Sequence, residues 1–317
     1  VDILGGMASM STEADVAVRR VAAEQHWVVS ADQAHAAGMT TAEVAHRRRA
    51  GVWRTVYQGV YLLDPDLYGG GSLPRPTQIS AGLLAAGPRA VAVRETAAEL
   101  LGLPVSGDPT AVHVAVPGRA ARHRQDGLVI HQMSVPASQR TSVDGLPTTS
   151  ALRTVADLVC VLTRFDAVAL ADASLNRGVL VESDLACVDA MIAGRRGCVA
   201  GREHLAEADG RAQSPAETRV RLICGDGNVM PDALQHPVYD DFGTLLGYAD
   251  LAWPAACLAA EVDGKGPHST PSALFRDRHR QNDFTTVRWR VIRFTWADTY
   301  RPGYVIATVR AALFRRS

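Results

Sequence analysis

With 317 residues, of which 47% are hydrophobic and 21% charged, the chain is long enough for two or three domains and has the composition of a globular protein. Its 33 Lys and Arg balance 33 Asp and Glu, so affinity for a polyanion has to come from local patches. The 5 cysteines are widely spaced with no C-x-x-C pair, which argues against a zinc site or a disulfide framework and fits a reducing cytoplasm. No apolar run reaches the roughly 18 residues of a membrane span; the longest, Leu251 to Ala260, is broken by Pro254.

The opening VDILGGMAS (1–9) reads as an expression scar ahead of a start at Met10. Asp15 to Trp27 then carries the apolar spacing of an amphipathic first helix. Ser30 is suited to cap a second helix that ends near Gly38, and Thr40 or Thr41 to cap a third. That third helix bears His46, Arg47, Arg48 and Arg49 in succession. From Val52 the β-favouring residues Val, Trp, Thr and Tyr take over, with a turn at Gln58-Gly59. Helix–turn–helix followed by a tight hairpin is the plan of a winged helix. Between Thr41 and Tyr61 the charge is four Arg against one Glu, a local +3.

A recognition helix needs small or polar residues where it meets base edges and cations where it meets phosphates. Thr41, His46, Arg47, Arg48 and Arg49 fit that division, and in the wing Arg54 and Gln58 are candidate backbone or minor-groove contacts. Helical spacing groups Thr41, Ala45 and Arg48/Arg49 on one face and Glu43 with Arg47 on another. Trp53 and Tyr57 are expected to pack against the helices. The expected partner is double-stranded DNA.

The Gly/Pro-rich stretch from Tyr68 to Pro76 reads as a linker. Beyond it, helices are expected at Thr77–Ala86 and Arg94–Leu101, strands at Ala111–Pro117 and Leu128–Gln132, and helices at Thr149–Val161 and Phe165–Arg177. Ser214-Pro215 has the cap and first-turn proline of a helix start, with the helix continuing to Cys224. A hairpin follows (Pro237–Phe242 and Leu245–Leu251), then a buried strand at Cys257–Asp263, a charged helix at Ser272–Asp283 and a strand at Val287–Phe294. A second basic patch runs from Arg276 to Arg293, with six Arg against two Asp. The fold class is α+β: a winged helix-turn-helix domain (10–66), a linker (67–76), a middle α/β domain (77–212) and a C-terminal α/β module around a small sheet (213–317).

In that last module Asp250 ends one strand, while Glu261 and Asp263 share a face of the next by the period of two. Glu217 approaches from the preceding helix and Lys265 lies two residues beyond Asp263. Converging carboxylates hold Mg2+ through oxygen, and a nearby Lys stabilises charge on a scissile phosphate. His268, Arg278 and Arg280 would add phosphate contacts. The pattern is that of an acid followed by (D/E)-x-K, and the alternative reading of Asp250, Glu261 and Asp263 is a solvent-facing or ion-paired strand end.

With these residues in view, the chain resembles the actinobacterial branch of the AbiEi-type antitoxins, which accompany nucleotidyltransferase toxins. The resemblance rests on TTAEVAHRRRAGVWRTVYQGVYLL, RETAAELLGLP, HVAVPGRAARHRQDGLVIHQ and LPTTSALRTVADLV. SPAET, GYADLAW, AAEVDGKGPH and FRDRHRQNDF further resemble a restriction-endonuclease-like module, with the departures that a Pro precedes His268 and that FRDRHRQND matches loosely. It implies a cytoplasmic, cofactor-free transcriptional repressor that binds its own operator through the winged helix and counters a nucleotidyltransferase toxin, directly or indirectly. The alternative is an Mg2+-dependent endonuclease using Glu217, Asp250, Glu261, Asp263 and Lys265, targeted by the winged helix.

Overall fold

The computed structural model describes residues 13–69, 71–105, 107–108, 110–118, 125–263 and 287–314. The expected scar, Lys265, His268, Arg278, Arg280 and the helix expected at 272–283 lie outside the described residues. The fold is α+β, in two compact units: residues 1–102 with 107–154, and residues 103–106 with 155–317.

The first unit begins with α1 (Glu13–Ala23), β1 (Val28–Ser30), α2 (Ala31–Ala36), α3 (Thr41–Arg49), β2 (Trp53–Tyr57) and β3 (Val60–Leu63). The strands form an antiparallel sheet in the order β1-β3-β2, which is the winged-helix arrangement. Both helix starts are capping boxes. Ser30 accepts from the Gln33 N–H while Gln33 accepts from the Ser30 N–H, and Thr40 and Glu43 repeat the device. Thr40's backbone N–H and hydroxyl hold the Glu43 carboxyl below the usual carboxylate range.

All four residues of β3 are buried, which an ordinary wing strand with one wet face would not show. Period two explains it. Tyr61 and Leu63 join Val18, Ala22, Val44 and Trp53 beneath the three helices. Val60 and Leu62 join Val28, Ile79, Leu83, Val112 and Val114 in a core on the other side. Each fully buried aliphatic side chain contributes about 1.5–3 kcal/mol, so the winged helix and the α/β region share one interior. The linker expected at 67–76 is accordingly short. Pro65–Tyr68 forms a 3-10 turn, and α4 (Arg75–Ala86) starts after residues 69–74 with Pro at its second position.

Around α4 lie β4 (Val91–Ala92), α5 (Arg94–Leu100), β5 (Val112–Val116), β6 (Leu128–Gln132), β7 (Arg140–Val143) and β8 (Leu146–Thr149). They make a five-stranded sheet in the order β6-β5-β4-β8-β7. Helix and sheet approach closely at Gly82, where a Cβ would lie 2.7 Å from Val112 Cγ1 and 3.2 Å from Leu128 Cδ1. On the opposite face of β5, His113 Nδ1 sits 3.1 Å from His131 Nε2 and 3.3 Å from Glu95 Oε2. Burial lowers the His113 pKa, with the Glu95 charge opposing and Arg94 and Arg75 assisting.

The boundary between units falls within α6 (Ala151–Leu158), so the middle domain expected at 77–212 does not exist as one body. Its first half shares the winged-helix core. The second unit contains α7 (Arg164–Asn176), α8 (Asp184–Ile192), α9 (Cys198–Ala206) and α10 (Pro215–Asp226). It continues with β9 (Ala233–Tyr239), β10 (Leu245–Trp253), β11 (Leu258–Asp263), β12 (Arg290–Thr295) and α11 (Pro302–Phe314). The sheet order is β12-β11-β10-β9, with β11 and β12 parallel and the other pairs antiparallel. Val220 and Ile223 of α10 and Val305 and Val309 of α11 bury one face of this sheet against Leu251, Leu258 and Phe294. A buried ion pair ties α7 to α10: Asp172 accepts from Arg221 at 2.9 Å and from the Thr218 hydroxyl at 2.7 Å. Among the described residues no helix is long and apolar enough to cross a membrane.

Candidate nucleic-acid interface

Helix α3 buries one side chain, Val44, and this fixes its rotation about its own axis. Arg47, one turn further on, falls on the inward side. Its guanidinium meets Asp15 of α1 through Nε at 2.9 Å and Nη2 at 2.5 Å, donates to the Glu43 carbonyl at 3.2 Å, and lies 6.0 Å from the centre of the Trp53 ring. Both partners of the pair are largely covered. Arg47 is therefore a strut between two helices, and the structure withdraws it from the group of outward-facing cations. A second strut, Arg19 of α1 to Asp64 just after β3, stands beside it.

The other basic residues are arranged differently. Arg48 donates from Nε to the Thr55 hydroxyl at 3.2 Å and stacks 5.4 Å over the Tyr61 ring, which holds it against the wing. Arg49 makes a single local contact, from Nε to the Ala45 carbonyl at 3.3 Å. Arg54 is carried by the edge strand β2, paired with Leu62. These three, with Ala45, Trp53, Thr55 and Pro65, line an open concavity of about 620 Å³ between α3 and the wing strand. Among the described residues no carboxylate pairs with Arg48, Arg49 or Arg54. His46 and Thr41 are exposed, Thr41 with its hydroxyl 3.4 Å from His35 Nε2.

The tip of the wing behaves unlike the sequence expectation. The Gln58 N–H donates to Gln125 Oε1 at 2.6 Å, and Tyr57 packs on the core shared with α4. The turn is thus tied to the α/β part of its own unit, and the outward part of the wing is β2 around Arg54 and Thr55. Sequence reading missed Asp15, Thr55 and Tyr61. Their partners lie 7 to 32 positions away, beyond what a local pattern reports.

In the second unit the expected carboxylates stand on α10, β10 and β11. Glu217 is capped into the first turn of α10 by Ser214. Its Oε2 accepts from the Gln213 N–H at 2.9 Å and from Gln235 Nε2 at 3.0 Å. Gln235, held at φ 49° on β9, also reaches Asp250 Oδ1 at 3.4 Å, while Asp250 Oδ2 accepts from the Val262 N–H at 2.9 Å. Glu217, Gln235 and Asp250 therefore form one string. Glu261 is buried and turned to Arg293, its ladder neighbour on β12, at 3.0 Å. Asp263 is exposed at the strand end. The β10–β11 register, which pairs Leu251 with Ala260, sets Asp250 opposite Glu261 one step further along the ladder. Among the described residues no three His, Cys, Asp or Glu side chains are grouped to hold a metal ion.

The fold and this interface define an α+β protein with a basic groove on a winged-helix arrangement. Over 262 residues the chain is 33% identical to the uncharacterized protein Rv2248 of Mycobacterium tuberculosis (strain ATCC 25618 / H37Rv) and equally to the uncharacterized protein MT2308 of strain CDC 1551 / Oshkosh, covering 82% of this chain and 92% of each relative. The chain belongs to the family of these two proteins. No protein-family model matches it. The crystal structure of RV2827C protein from Mycobacterium tuberculosis aligns with a TM-score of 0.32 and 15% identity over 62% of this chain and 82% of that one, too distant to carry an argument.

Proposed function

We propose that the chain binds double-stranded DNA through α3 and strand β2, and that it acts as the cytoplasmic, autoregulating antitoxin implied by its resemblance to the AbiEi type. The observation that carries this reading is the set of three arginines, Arg48, Arg49 and Arg54, lining one open groove with no carboxylate partner among the described residues. Three cations held this way attract phosphates and release their counterions, so affinity has to fall steeply with salt. Operator binding in two inverted half-sites, occupied by two copies, is the arrangement such a protein would use for repression. The nucleotidyltransferase toxin enters as partner through the resemblance alone. A footprint of the full chain on the DNA upstream of its own gene tests the reading. Protection there, lost as KCl rises, supports it, and no protection at any salt concentration overturns it.

A second reading is favoured by one observation, the Glu217–Gln235–Asp250 string at the meeting of α10, β9 and β10. It makes the chain an Mg2+-dependent nuclease. Plasmid incubated with the protein and Mg2+ distinguishes the two: cleavage that disappears in Asp250→Ala supports the nuclease, and intact plasmid supports the antitoxin.

A further inference from the structure

We propose that Arg49 is the base-reading residue of α3, making a forked contact to a guanine in the major groove, while Arg48 and Arg54 hold backbone phosphates. This assignment rests on the DNA-binding reading and divides its cations by geometry. Helix α3 has 9 residues, and an α-helix about 10–12 Å across fits a major groove about 12 Å wide. Val44 in the core and Arg47 on Asp15 fix which stripe faces away: Ala42, His46 and Arg49, at i, i+4 and i+7, all exposed. A methyl side chain at Ala42, with Ala45 one turn before Arg49, lets the helix backbone approach base edges closely. Arg49 then supplies the planar pair of donors that matches guanine O6 and N7.

Arg48 cannot take that role. Its guanidinium is pinned sideways between the Thr55 hydroxyl and the Tyr61 ring, at the border of helix and wing, where a strand's sugar–phosphate rail would run. Arg54 lines the same groove from the edge strand β2. Among the described residues Arg49 is tied by one 3.3 Å bond, to its own helix at an exposed last turn, and can extend at little cost.

The test is selection from a randomised duplex library with the full chain, as wild type, Arg49→Ala, Arg49→Lys and Arg48→Ala, followed by KCl titration on the wild-type consensus. The wild type is expected to recover a motif containing a strongly preferred G·C pair. Arg49→Ala and Arg49→Lys should both lose discrimination at that pair by about 5- to 150-fold, the worth of one bidentate contact. The lysine keeps the charge and not the fork. Arg48→Ala should keep the motif and lower the log–log salt slope by about one. A motif unchanged in Arg49→Ala, or wild-type binding without any sequence preference, overturns the assignment and leaves DNA binding intact. Failure of the wild type to retain any duplex at low salt removes both.

Discussion

Replacing Arg47 separates a structural cation from a DNA-contacting one. In Arg47→Ala the Asp15 carboxylate loses two donors at 2.9 and 2.5 Å, the Glu43 carbonyl loses one at 3.2 Å, and Trp53 loses a guanidinium 6.0 Å from its ring centre. A net charge-assisted hydrogen bond contributes about 1.5–3 kcal/mol, and breaking a fully buried pair costs about 3–5. The side chains here remain 16% and 18% exposed, which places the loss near the lower figure, about 2 kcal/mol. Urea denaturation of the full chain, with Asp15→Ala and the double variant completing a cycle, measures it. The coupling between the two sites should be about 1–2 kcal/mol. In KCl titrations of DNA binding, folded Arg47→Ala should keep the wild-type salt slope. A stability loss under about 0.5 kcal/mol together with a slope lowered by one would refute the reasoning, because it would make Arg47 a phosphate contact.

Gly82→Ala should lower stability by about 1–2 kcal/mol. Its new methyl would meet Val112 Cγ1 at 2.7 Å, and overpacking outweighs the gain in helix propensity; a melting curve checks the sign, and Val112→Ala in the same chain should recover part of the loss. His113 makes stability pH-dependent. Its pKa in the fold lies below the usual histidine value of about 6.5 because of burial, so above that pH both states are neutral and the stabilisation is complete. As pH falls below about 6.5 the unfolded chain takes up the proton first and stability declines, by at most about 1.4 kcal/mol per pH unit. Denaturation midpoints between pH 7.5 and 5 should show the decline in the wild type and a smaller one in His113→Gln.

What the sequence made legible was local. The helix caps at Ser30 and Thr40, the proline start of α10 and the tight turn of the wing hairpin are written within a few neighbouring residues, and the structure contains each of them. The hairpin of β7 and β8 was equally readable and was missed. Its Asp144-Gly145 turn, with φ of 50° and 79°, is the Asp-Gly signal of a two-residue turn. Helices α8, α9 and α11 were missed for a different reason: they mix small apolar residues around the whole circumference, so no stripe announces them. The double-sided burial of β3 was not legible, since VYLL reads the same whether one face or two are covered. Nor could the sequence say which of four consecutive basic residues turns inward, because that depends on where Asp15 stands in space.

Because β3 is covered on both sides, the winged helix has no seam along which it can be cut away. A fragment ending at residue 66 would bare Val28, Val60 and Leu62, all of them wholly enclosed in the intact chain. Grafting this helix and wing onto another protein would therefore require carrying α4 and the sheet behind it as well.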